Sequence, residues 1–179
     1  MKQNKINVYI LRVSKEGIQY KGYFQQMENT LEAEQRIVGG RIEVVPLTPE
    51  IDLILKADGK SNCVVVREQL EDKNSSPQNV ILIAPELDLF MRENKGAECC
   101  PVNRLWVDEN NNPVDVIVGN IICVRHCGDE FISVKTEDRE VIEKKLVPIR
   151  GMYKNPQDIL QRVTFVVTPE DELPDYTGD

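Results

Sequence analysis

NTLEAEQRIVGGRIEVVPL, residues 29–47, decides the fold, because it reads at once as a capped helix, a glycine stop and a strand. Asn29 is placed to accept a hydrogen bond from the Glu32 amide while the Glu32 side chain reaches back, a reciprocal cap for two donors that a helix start leaves unpaired. Leu31, Ala33, Ile37 and Val38 supply the apolar side, and Glu32, Glu34 and Arg36 take the wetter ones. Gly39 and Gly40 end the helix, since glycine enters the left-handed region without the steric cost of a Cβ. Ile42, Val44 and Val45 then give the branched side chains that suit a pleated strand, closed by Pro46. A helix turned back onto a strand in so few residues predicts an α+β domain.

Working outward, strand-like runs at 6–13 and 18–24 flank Ser14, Lys15, Glu16 and Gly17 and predict an N-terminal hairpin. Further strands are expected at 52–57, 62–66 and 79–84, with a turn at Asp58-Gly59. The polar stretch 68–78 reads as an excursion, and 85–94 as a helix opened by Pro85. A strand at 103–107, an Asx-rich turn at 108–113 and one long apolar strand at 114–126 make a second hairpin. After a turn at Gly128-Asp129 and a strand at 130–135, Thr136 is expected to cap a helix with the buried stripe Val141, Ile142, Lys145 and Leu146, stopped by Pro148.

Beyond that, a short helix at 155–161 and a strand at 163–167 docked on the main sheet are expected. Residues 168–179 are acidic, hold Pro169, Pro174 and Gly178, and lack a periodic apolar stripe, which predicts a disordered or loosely held tail. The fold expected is therefore α+β, a mostly antiparallel curved sheet with two main helices. Its parts are a single domain over 1–146 with an insertion at about 61–100, a helix-strand extension over 147–167 and the tail at 168–179.

The 179 residues are 41% hydrophobic, enough for one domain with a real core. A formal net charge of -8, from 22 Lys and Arg against 30 Asp and Glu, disfavours direct binding to nucleic acid or an anionic membrane. The opening residues alternate charge with apolar runs and lack the pattern of an export signal, and no apolar run approaches a bilayer span, so a cytoplasmic setting is expected. Five cysteines, an odd number, fit free thiols in a reducing compartment.

Three constellations bear on chemistry. Asn103, Arg104 and Trp106 are the candidate ligand-binding residues: a guanidinium grips a carboxylate or phosphate at two points, and an indole offers a stacking face. The competing structural account pairs Arg104 with a local acid such as Asp108 and sinks Trp106 in the core. Cys99, Cys100, Cys123, Cys127 and His126 carry metal-ligand chemistry but the wrong spacing, with adjacent cysteines and no Cys-x-x-Cys pair, so no metal is expected. His126 is the one histidine, and a hydrolase built on it would need a cleft and an acid partner, with the adjacent Cys127 a nucleophile only if the loop folded its side chain back toward the imidazole. No catalytic residues and no cofactor are assigned, and Val38-Gly39-Gly40-Arg41 lies between helix and strand in the wrong order for a phosphate loop.

The order of the 31–45 helix and strand, Asp58-Gly59-Lys60, Pro101-Val102-Asn103-Arg104 and the run 115–119 resembles a family of small uncharacterised proteins carrying a domain of unknown function. They are encoded largely by phages, plasmids and conjugative elements of Gram-positive bacteria. The resemblance covers roughly 1–146, and the chain departs from it through 61–100 and through everything after Leu146. It implies a mobile-element origin and no known activity. With the acidity, it leads to the expectation of a non-enzymatic cytosolic interaction protein that antagonises or modulates a host protein. The alternatives are a binder or sequestering protein for a small anionic, nucleotide-type ligand at Asn103 and Arg104, and a hydrolase at His126.

Overall fold

The computed structural model describes residues 4–57, 64–66, 79–83, 102–154 and 162–178. The chain opens with β1 (Lys5–Leu11), β2 (Tyr23–Glu28), α1 (Leu31–Val38), β3 (Ile42–Pro46) and β4 (Ile51–Lys56). Then come β5 (Val64–Val66), β6 (Asn79–Ile83), β7 (Val102–Val107), β8 (Pro113–Val118), β9 (Ile121–Cys127) and β10 (Glu130–Ile132). The last elements are α2 (Asp138–Lys145), β11 (Leu146–Val147), β12 (Ile149–Lys154), β13 (Arg162–Val167) and a single 3-10 turn, Glu170–Glu172. Every strand pairing among the described residues is antiparallel, and the fold is α+β with a sheet-dominated core.

The central sheet runs β2-β1-β9-β4-β3, with β10 paired to the far end of β9. Because side chains alternate along a strand, this sheet has two buried faces. Ile6, Val8, Ile10, Ile54, Ile122 and Val124 face one way and pack with Ala33 and Val38 of α1. Tyr9, Leu11, Leu53, Leu55, Ile121 and Cys123 face the other and pack with Ile142 and Leu146 at α2 and Ile117 of β8. The result is three layers: α1, the central sheet, then α2 beside a small sheet ordered β11-β7-β8.

Several expectations change at this level. The helix starts at Thr30, whose Oγ1 accepts the Ala33 amide at 3.2 Å; Asn29, expected to be the cap, instead donates its side chain to the Phe131 carbonyl at 3.2 Å. The buried face also differs from the expected one: Leu31 is 52% exposed, whereas Glu34, expected in water, is only 4% exposed. Gly39 is the left-handed stop, at φ 89°, and Gly40 follows at ordinary φ, so one glycine carries the turn.

The expected long strand 114–126 is two strands, broken at Gly119 (φ 77°) and Asn120, which carry the chain from the small sheet into the central one. Asn120 fixes the corner by accepting the Val13 amide and donating to the Ile37 carbonyl, each at 2.9 Å. Thr136 does not cap α2. Asp138 does the anchoring, its Oδ2 accepting the Lys135 amide at 2.8 Å while both oxygens hold Arg125 of β9. That grip keeps the Asp138 carboxyl below the usual carboxylate range. In the expected stripe Ile142 and Leu146 are buried, while Val141 is 38% exposed.

β13 does not dock on the central sheet. It pairs with β12 and β6, in a sheet ordered β12-β13-β6-β5, so backbone from the 61–100 region and from the extension after residue 146 pair in one sheet. The Asp58-Gly59 turn and the helices expected at 85–94 and 155–161 lie outside the described residues.

Candidate functional site

The arm between β1 and β2, residues 12–22, begins as a narrow hairpin: Ser14 and Ile18 pair across Gly17, which sits at φ 91°. The expected hairpin is therefore present, with its main ladder set later, from Tyr23. Past Tyr20, whose amide still donates to Arg12 O at 3.0 Å, the arm leaves its partner, and the amides of Lys21 and Gly22 point away to acceptors elsewhere. Gln19 holds the arm down by a two-way bond to Ile149, donating to its carbonyl at 2.6 Å and accepting its amide at 3.1 Å.

Beneath the arm lies β7. Its pairing with β8 shifts register between Val102 and Arg104, and the side chain of the extra residue, Asn103, is buried. Asn103 Nδ2 donates to the carbonyls of Leu11 and Gly119, each at 2.8 Å, tying β7 to the end of β1 and to the corner between β8 and β9. Arg104 is 0% exposed, and a buried cation needs acceptors. Its Nη1 donates to Asn103 O at 3.0 Å and Oδ1 at 2.7 Å; its Nη2 donates to Tyr20 O at 2.6 Å and Glu170 Oε1 at 3.0 Å. Burial holds the guanidinium below its ordinary pKa, and Glu170 pulls it back up.

The geometry places Asn103, Arg104 and Trp106, the expected ligand-binding residues, in and against the interior. Asn103 and Arg104 are sealed and internally bonded, and Trp106 is half-buried against the core. The acid paired with Arg104 is Glu170 rather than Asp108, whose Oδ1 caps its own turn by accepting the Asn110 and Asn112 amides.

Glu170 belongs to the acidic segment expected to be disordered or loosely held, and in the structure that segment lies against the arm. Thr168 N donates to Pro148 O at 3.0 Å, and the chain then crosses the arm. Glu170 Oε1 accepts the Gly22 amide at 2.9 Å as well as Arg104, and Pro174 O accepts the Lys21 amide at 2.9 Å. Tyr176 stacks on Tyr23 with centroids 5.5 Å apart, meets Tyr20 edge-on at 5.4 Å, and carries the Arg12 guanidinium 4.7 Å above its ring. Sequence reasoning missed Glu170 and Tyr176 because composition describes a segment without its surroundings. The one available signal was Tyr176, an aromatic in an otherwise acidic, proline-broken run.

On the opposite face of the central sheet from α2, His126 Nδ1 meets Asp52 Oδ2 at 2.8 Å, which supplies the acid partner a hydrolase reading requires. Neither described cysteine joins it as a nucleophile. Cys127 follows His126 in β9 and so projects from the other side of the strand, and Cys123 is buried in the opposite face with its thiol pKa pushed up by that burial. Among the described residues no three His, Cys, Asp or Glu side chains converge as metal ligands; Cys99 and Cys100 lie outside them. Tyr9, buried in the core, donates its hydroxyl to Glu143 Oε1 at 2.8 Å.

No helix among the described residues is long and apolar enough to cross a membrane. No family model, curated protein or solved structure matches the chain.

Proposed function

We propose that this is a non-enzymatic binding protein that acts through contact with another protein, at the surface formed by residues 12–23 and β7 beneath the acidic segment. One observation carries this reading: that surface already holds a peptide segment by a side-chain charge, by backbone and by an aromatic ring together. Packing alone would need no such mixture of contacts. Neither described cysteine projects on the face of β9 that carries His126, so the catalytic alternative has less support.

A small anionic ligand is the second reading. Arg104 Nε and Glu170 Oε2 are buried with no hydrogen-bond partner among the described residues, so Glu170 meets the guanidinium at one point where a two-point oxyanion would fit.

The test is amide exchange on the full chain with a captured partner. Binding should slow exchange at Lys21, Gly22 and Tyr23, and capture should fail for Arg12→Glu. Capture that is indifferent to Arg12→Glu and leaves 12–23 unchanged would contradict the reading. Native mass spectrometry showing a retained phosphate-bearing molecule instead would favour the second.

A further inference from the structure

The segment already on this surface names the chemistry of what else it takes. We infer that the partner presents an acidic, tyrosine-bearing peptide segment that displaces residues 168–178 and takes over their contacts. This inference rests on the binding reading above and specifies the partner.

The charge is complementary and local. In a chain of net charge -8, Arg12, Lys21 and Arg104 converge on the covering segment. That segment, 168–179, holds five acidic residues and no basic ones. The contacts fall at positions 170, 174 and 176, so the surface reads a carboxylate, a main-chain carbonyl and an aromatic ring at fixed spacing along an extended peptide.

The resident segment is also held in a way that permits exchange. Between 169 and 178 no residue is buried, and the segment adds no strand to any sheet. Its hold therefore rests on a few polar and ring contacts rather than on buried apolar area. One exception sets the specificity. Arg104 cannot be left without an anion, because an unpaired buried charge is costly, so any replacement has to bring a carboxylate to the position of Glu170 Oε1. The covering segment thus competes with the partner from within the chain, at an effective concentration on the order of millimolar.

The experiment titrates a fluorescent peptide of sequence 168–179 into the full chain and into a full chain weakened by Glu170→Gln and Tyr176→Ala. Both proteins are first checked for a cooperative melt; should the double variant fail to fold, Tyr176→Ala alone takes its place. The weakened chain should bind the peptide at least about tenfold more tightly than the parent chain, which competes with its own segment. A peptide carrying Glu170→Gln and Tyr176→Ala should lose at least about tenfold. Equal binding of a scrambled peptide of the same charge, or no binding to the folded weakened chain, would overturn the inference. If a partner is nevertheless captured in an Arg12-dependent way, the binding reading stands and only the peptide chemistry fails; if capture fails as well, both fall.

Discussion

Arg104 and Glu170 stand 66 residues apart in sequence and meet in the interior, Nη2 to Oε1 at 3.0 Å, with the Arg104 side chain fully buried and that of Glu170 12% exposed. The guanidinium sits on a strand of the small sheet and the carboxylate on the acidic segment, so this one contact fastens that segment to the core. The Gly22 amide bonds the same oxygen and joins the N-terminal arm to the pair.

Removing one partner leaves a buried charge alone. Glu170→Ala should lower stability by about 3–5 kcal/mol, whereas Arg104→Met combined with Glu170→Leu should recover more than half of that loss. Urea denaturation of the three variants checks this. A Glu170→Ala protein as stable as the parent would mean that the pair does not form.

Gly39 and Gly40 should separate cleanly. Gly39 lies at φ 89° with open space where a Cβ would sit, so Gly39→Val is penalised through the backbone alone, by about 1–2 kcal/mol. Gly40 is not left-handed, and a Cβ there would meet only the flexible Lys56 Cε at 3.1 Å, so Gly40→Val should cost clearly less. Equal denaturant midpoints for the two variants would refute the single-glycine stop.

Glu34 gives a pH signature. Burial holds its carboxyl above the ordinary carboxylate range. A folded pKa above the unfolded one means that its favourable contribution is present below the unfolded value and is lost as pH rises through the folded value. Glu34→Gln should therefore stabilise the protein at about pH 7.5 relative to the parent, with the advantage gone by about pH 4. Urea midpoints at the two pH values decide it; a constant difference would contradict the sign.

Gly22 is required for close approach rather than for its own torsion. A Cβ there would run into the hydroxyl end of Tyr9, which is buried and bonded to Glu143. Gly22→Ala should cost about 1–3 kcal/mol, and Tyr9→Phe in the same chain should relieve part of it. Thermal melts of the single and double variants test the coupling, which additive losses would deny.

What the sequence disclosed and what it withheld divide along physical lines. The antiparallel strands at 42–46, 51–56 and 102–107 and the helix at 31–38 were legible because periodicity and turn chemistry are local. The helix start slipped from Thr30 to Asn29 because both residues are good caps and the choice was made by Phe131, 102 positions from Asn29. The break at Gly119 was hidden inside an apolar run, since a strand that changes sheets keeps its composition. At the candidate site Arg104 was singled out from its guanidinium chemistry, but its partner was not. An acidic run carries no mark of the buried cation that orders it, and the pairing of Arg104 with Glu170 depends on where the arm at 12–22 brings the chain.

The central claim is that residues 168–178 are docked on the arm, and amide hydrogen exchange of Lys21 and Gly22 tests it most directly. Their amides donate to Pro174 O and Glu170 Oε1. In the parent chain both should exchange at least about tenfold more slowly than in a folded Glu170→Ala, Pro174→Gly variant. Equally fast exchange at both positions in the two proteins would contradict the docking and the functional reading built on it.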